Sequence, residues 1–173
     1  MRNINTFSLL FVLLLTTVSC SQNDDLIGKN GVVELFEIEQ FVTKENTDQI
    51  DESTVITKKN PLLNYEDLLS YNSKEFKFEI SKHGQELFED APVISGAFAI
   101  MVNGELIYTG YFVPGYSSRL WFWNMIDPLM IGYSGDCYVR RIVLHGGNQR
   151  FYEDKRNDPR ILEIFQMDGK LIE

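Results

Sequence analysis

The chain has 173 residues, and with a leader over residues 1–19 removed it is the size of one ordinary domain. Hydrophobic residues make up 44% and charged residues 24%, a globular rather than a disordered composition. Lys and Arg number 16 against 25 Asp and Glu, a net charge of −9 that becomes −10 when Arg2 leaves with the leader; so acidic a body has no electrostatic route to nucleic acid and is a poor partner for an anionic lipid surface.

Residues 1–20 read MRNINTFSLLFVLLLTTVSC. Arg2 supplies a short positive start, and Phe7 to Leu15 is apolar apart from Ser8. That stretch is too short for a permanent span, which needs about 20 apolar residues, and it suits a secretory signal. Thr17-Val18-Ser19-Cys20 resembles a bacterial lipobox, in which the cysteine is acylated and becomes the first mature residue; the family pattern prefers Leu where Thr17 stands. The resemblance implies a palmitate-type lipid anchor on Cys20, a tether over 20–31 and a place in the cell envelope, at the outer membrane. Ser21-Gln22-Asn23-Asp24-Asp25 is similar to the acidic surface-export patch of Bacteroidetes-type lipoproteins, and equally suits a plain polar tether. With Cys20 lipidated, Cys137 is alone and no internal disulfide forms; it reads as a packed core thiol.

A single α+β domain is expected over 32–173. Val32 to Val42 alternates imperfectly and predicts a half-buried strand, and the polar run 43–60 predicts a long loop. Asn64 to Leu69 predicts a short capped helix, with Asn64 as N-cap. Lys74 to Ile80 alternates, with Phe76, Phe78 and Ile80 on one face, and Ser81 caps a second short helix in which Gly84 is out of place. Two β-rich runs, Ala97–Val102 and Glu105–Phe112, flank Asn103-Gly104, the strongest short-range hairpin signal. Ser118–Met125, Leu129–Tyr133 and Tyr138–Leu144 predict further strands, the first two split by Asp127-Pro128 and the last closed by Gly146-Gly147. Asp158 as N-cap, Pro159 at the first position and Gly169 past the end frame a C-terminal helix. The expected architecture is a mostly antiparallel sheet with two short helices and the C-terminal helix packed on it.

No motif for catalysis, cofactor or metal stands out, so the chain reads as non-enzymatic. His83 and His145 lack ligand spacing. Ser95 and Ser117-Ser118 have no neighbouring histidine, and acid pairs such as Glu86 and Glu89 suit solvated surface as well as acid–base work. The feature above background is aromatic. Tyr108, Tyr111, Phe112, Tyr116, Trp121, Phe122 and Trp123 fall within sixteen residues. On a strand the two indoles share one face and Phe122 takes the other, so Tyr108, Tyr111, Tyr116, Trp121 and Trp123 are candidates for binding a protein or a glycan. The same residues suit a sheet core under the C-terminal helix, with Tyr116 and one indole side left exposed. An envelope hydrolase, or a protease inhibitor presenting the turn 113–118, is the alternative.

Pro61-Leu62-Leu63-Asn64-Tyr65-Glu66-Asp67-Leu68, Phe76-Lys77-Phe78-Glu79-Ile80, Gly84-Gln85-Glu86-Leu87-Phe88 and the hairpin Ser95 to Ile107 follow one another in an order that resembles the head of the first periplasmic domain of SecD. The resemblance implies an α+β extracytoplasmic module, and it departs where Thr109-Gly110-Tyr111-Phe112 replaces a proline. The mature chain is also similar to uncharacterised Bacteroidetes lipoproteins, through Tyr108-Thr109-Gly110-Tyr111-Phe112, Ser117-Ser118 and Asp158-Pro159-Arg160 with Gly169-Lys170-Leu171. Those relatives carry no activity over.

Overall fold

The structure, a computed structural model, describes residues 30–89, 96–141 and 153–173. Cys20, the leader, most of the tether, Ser95, His145 and the Gly146-Gly147 turn lie outside them.

The described residues form an α+β fold of two mixed, mostly antiparallel sheets and three α-helices. The larger sheet is built on the central pair β5 (Gly96–Val102) and β6 (Glu105–Phe112). Their hairpin forms as the Asn-Gly pair predicts, with φ of 52° at Asn103 and 80° at Gly104. The register slips between Ile100 and Met101, so Ile107 is the extra residue of a bulge and both Ile107 and Tyr108 are buried. Outside this pair lie β1 (Val33–Gln40) and β2 (Ile56–Thr57) on one side. On the other side lie β7 (Asn124–Ile126) and β9 (Arg140–Arg141), the latter numbered by its place in the chain. The domain is already anchored at its first described residues. Val32 N donates to Asn103 Oδ1 and Asn103 N to Val32 O, while Asn30 Nδ2 donates to Asp168 Oδ1.

The smaller sheet has the order β10 (Leu171–Ile172), β3 (Leu68–Asn72), β4 (Lys77–Ile80), β8 (Asp136–Tyr138). The main core unites Val33, Leu35, Phe98, Ile100 and Phe112 of the larger sheet with Tyr71, Phe78 and Ile80 of the smaller one. Ile161, Ile164 and Phe165 of helix α3 (Pro159–Met167) join them. Helix α3 starts on Asp158, whose side chain accepts from Arg160 N, and Pro159 opens its first turn as expected. Gly169 follows at φ 67°. The chain then adds β10 parallel to β3, a strand of two residues with no sequence signal.

Several expectations are corrected. The short helix expected over Asn64–Leu69 forms with Asn64 as its N-cap, but as 3₁₀ and over three residues only. A single 3₁₀ turn over Tyr65–Asp67 is closed by Asn64 N donating to Asp67 Oδ2, and Leu68 goes directly into β3. The second short helix, α1 (Lys82–Glu89), does form, with Ser81 Oγ accepting from Gly84 N. Gly84 is there for close approach: a Cβ would lie 2.6 Å from Ile80 Cγ2 and 3.0 Å from Leu63 Cδ2. Leu129–Tyr133 is not a strand but part of helix α2 (Pro128–Ser134), capped by Asp127 accepting from Leu129 N. The strand expected from Tyr138 breaks at Val139, where the chain leaves the smaller sheet (β8) for the larger one (β9). The loop 43–60 is shorter than expected. It holds a Thr43–Ile50 bridge, a 3₁₀ turn at Glu52–Thr54 and β2, around an Ile50 with no exposed surface.

Candidate functional site

The aromatic segment is a connection rather than a strand. Because β6 and β7 are parallel, the chain must return along the sheet before pairing again. Residues 113–123 make that return over the second face of the larger sheet. Only Asn124 and Met125 of the expected Ser118–Met125 strand are extended in a ladder.

This crossover closes a second, smaller core of Ile38, Ile50, Ala97, Ala99, Tyr111 and Trp123, with Phe41 and Trp121 at its edge. Asp48 ties it down. Its carboxylate accepts from Arg119 Nη2 and from Phe122 N, both at 3.0 Å, and its carbonyl accepts from Tyr111 Oη at 2.9 Å. The Trp121 ring lies 4.4 Å from that of Tyr111 and 3.7 Å from the Arg119 guanidinium.

The five candidate residues therefore separate. Tyr116 is 71% exposed, on a turn closed by Ser117 N donating to Pro114 O. Trp121 is half-buried, against Tyr111 and Arg119. Tyr108, Tyr111 and Trp123 are buried, as the core alternative has it, Tyr108 in the main core and the other two in the smaller core under the crossover.

Two of the buried three come together elsewhere. Tyr108 and Trp123 line a cavity of about 150 Å³ with Lys44, Gln49, Glu52, Asn124, Glu153 and Lys155. Three of these residues carry a buried polar atom with no hydrogen-bond partner: Gln49 Oε1, Tyr108 Oη and Asn124 Oδ1. A buried polar atom left unpaired costs about 1–3 kcal/mol, and among the described residues the three that carry one all line this cavity. The backbone and its neighbours fix their direction. Trp123 Nε1 donates to Thr109 Oγ1 at 3.1 Å and Asn124 Nδ2 donates to Thr109 O at 2.8 Å. That bond fixes the orientation of the Asn124 amide, whose oxygen has no partner among the described residues. Gly110 permits this geometry, since a Cβ there would lie 2.6 Å from Asn124 O and push β7 away from β6.

The mouth is charged. Lys44 and Glu153 are exposed, and Lys155 Nζ donates to Glu52 Oε2 at 2.9 Å. Behind it Arg156 clamps Asp154 through Nε and Nη2, and also donates from Nη1 to Val139 O. Those hydrogen bonds hold the Asp154 carboxyl below its ordinary range despite partial burial. Burial pushes the Tyr108 phenol well above its ordinary value, so it stays a neutral hydroxyl. Burial also raises the Cys137 thiol to about 12, which keeps it an inert core group.

The other sequence candidates stay apart from this cavity. His83 Nδ1 pairs with Asp67 Oδ1 at 2.9 Å beside the start of α1, Glu86 is exposed on the same helix, and Ser117 and Ser118 are exposed on the crossover. Among the described residues no three His, Cys, Asp or Glu side chains gather to hold a metal ion. Gln49 and Asn124 carried no sequence signal, because the cavity draws on four separate stretches of chain: 44–52, 108, 123–124 and 153–155.

No family model, no curated protein and no solved structure matches this chain.

Proposed function

We propose that this chain is a non-enzymatic cell-envelope protein, held to the membrane through an acylated Cys20, that binds a protein or glycan partner at the polar cavity beside Tyr108. The observation that carries the binding reading is the cavity itself, lined by Tyr108, Trp123, Gln49 and Asn124 together with the charged Lys44, Glu52, Glu153 and Lys155. Its two amides and neutral phenol offer neither a nucleophile nor a base. The anchor reading rests on the apolar run Phe7 to Leu15 and the Thr17-Val18-Ser19-Cys20 ending, and places the protein at the outer membrane with the domain 32–173 on a tether.

Two experiments test this. Replacing Cys20 with alanine should move the protein from the membrane pellet to the soluble fraction, and unchanged fractionation would end the lipoprotein reading. A photo-crosslinking residue at Lys44, on the cavity rim, should trap a partner in intact cells, whereas one at Lys74, exposed in the turn before β4, should not. Equal trapping at both positions would remove the cavity from the reading.

A hydrolase is the second reading, because Glu52 and Glu153 both line the cavity. Glu52 is already paired with Lys155, which favours binding over acid–base chemistry. In a Glu52→Gln variant, a partner trapped at Lys44 at the same size as in the wild type favours binding, and one trapped intact only in the variant favours the hydrolase.

A further inference from the structure

The crossover carries a surface of its own, none of whose residues lines the cavity. After the turn closed by Ser117 N on Pro114 O, the run 117–121 has neither turn nor bend and lies outside any ladder. In an extended chain alternate side chains share one side, and the contacts follow that rule. Arg119 and Trp121 turn inward. The guanidinium lies 3.7 Å from the indole and donates to Asp48, and the indole packs on Tyr111. Ser118 and Leu120 turn outward, and Leu120 is 66% exposed although it is apolar. Phe122 N is tied to Asp48 as well, and Asp48 O holds Tyr111 Oη. The chain on both sides of the Leu120–Trp121 peptide bond is thus fixed to the same two residues, Asp48 and Tyr111.

An extended segment outside a ladder is the form in which an endopeptidase takes a chain, since main-chain hydrogen bonds hold it while alternate side chains enter pockets. Exposure alone would make a substrate; the ties on both sides make the difference. We propose that 117–121 is the reactive segment of a serine endopeptidase inhibitor, with Leu120 filling an apolar specificity pocket. The endopeptidase's serine oxygen bonds to the Leu120 carbonyl carbon and the bond to Trp121 N breaks. The serine proton passes through the enzyme's histidine to that nitrogen. The new amine does not depart, because Trp121 and Phe122 stay held by Tyr111 and Asp48. At high effective concentration it attacks the ester, returns its proton by the same path and restores the peptide bond. Arg119 is the alternative side chain for such a pocket, but Asp48 holds it.

The test uses the mature protein with chymotrypsin, whose specificity pocket is apolar, and trypsin, whose pocket is acidic. The wild type should inhibit chymotrypsin competitively on a small chromogenic peptide, in a roughly micromolar range, and should stay intact by mass spectrometry. Leu120→Asp should weaken that inhibition at least about tenfold at an unchanged melting temperature, because the side chain is exposed. Leu120→Lys should move inhibition from chymotrypsin to trypsin. Asp48→Ala should release the ties and turn the inhibitor into a substrate, cut between Leu120 and Trp121.

Steady cutting of the wild type at that bond without lasting inhibition makes 117–121 a substrate loop and overturns the proposal. Full chymotrypsin activity in an excess of the wild type overturns it too, as does inhibition that survives Leu120→Asp. An Asp48→Ala variant that inhibits as well as the wild type and stays intact removes the ties as its basis, and the mechanism falls with them.

Discussion

The two faces of the larger sheet are held by different physics. One face meets the smaller sheet and α3 through large apolar side chains, with Phe165 at the centre. Its ring lies 5.5 Å from Tyr65, 5.6 Å from Tyr71 and 5.8 Å from Phe78. The other face offers small residues, Ala97 and Ala99, to a crossover with no regular structure over 113–123. Large apolar side chains hold the first face, while the second joins a smaller apolar core to a few directed ties from Asp48. The candidate site lies where the directed ties run out and polar atoms remain unpaired.

That contrast is broken most forcefully on the apolar face. Phe165→Ala should cost about 3–5 kcal/mol, the range for a large buried aromatic, seen as a lower urea midpoint shared by every probe. A loss below about 1 kcal/mol would mean that α3 does not close this core. On the other face Asp48→Ala removes two charge-assisted hydrogen bonds, to Arg119 and to the Phe122 amide. It should cost about 2 kcal/mol and speed hydrogen exchange at the Phe122 amide, while the amides of β4 stay protected. Exchange rising equally in β4 would show that the two faces do not open separately.

A sharper version compares two buried phenols. Tyr71 Oη lies 2.9 Å from Arg156 O and from Asn157 Oδ1, whereas Tyr108 Oη has no partner. Removing only the oxygen should therefore act with opposite consequence. Tyr71→Phe should lose about 1 kcal/mol, and Tyr108→Phe in the unliganded protein should lose nothing. Equal losses in urea unfolding would mean that both hydroxyls are satisfied, one of them by water.

The sequence was legible where a local rule and the global fold agree. Asn103-Gly104 dictates its turn through two positive φ angles, and Asp158-Pro159 starts α3 through a cap and a ring-fixed φ. The dipeptide Asp127-Pro128 does the same for α2. There the apolar run Leu129-Met130-Ile131 suggested a strand, although the cap signal was identical. Periodicity cannot separate a short apolar strand from a short helix, and the terminal signal should have decided it. The crossover was illegible for another reason. Trp121-Phe122-Trp123 has strand composition, but the parallel pairing of β6 with β7 is set by distant partners, and it makes this segment a connection. The cavity was hidden for the same cause, since its polar atoms meet only after the sheet has formed. Even so, two of the five aromatic candidates, Tyr108 and Trp123, are in its wall, as core residues facing a cavity rather than as an exposed platform.

The smallest expected effect lies far from both faces. The Asp67 carboxylate is buried and accepts from Ser81 Oγ, Asn64 N and His83 Nδ1. Burial raises its pKa, but these hydrogen bonds outweigh burial and hold it below its ordinary value. The hydrogen bond from the exposed His83 raises the histidine in turn. The raised histidine contributes stability that is complete below its unfolded pKa of about 6.5 and is lost as pH rises through its folded value. The lowered aspartate contributes above its unfolded value of about 3.9 and is lost as pH falls through its folded one. The pair is strongest between these limits. His83→Ala should therefore lower the melting temperature at pH 5.5 and lose most of that deficit by pH 8.5, with Asp67→Asn removing the pH dependence. A deficit as large at pH 8.5 as at pH 5.5 would assign the effect to the neutral ring, since by then the charge on His83 is gone.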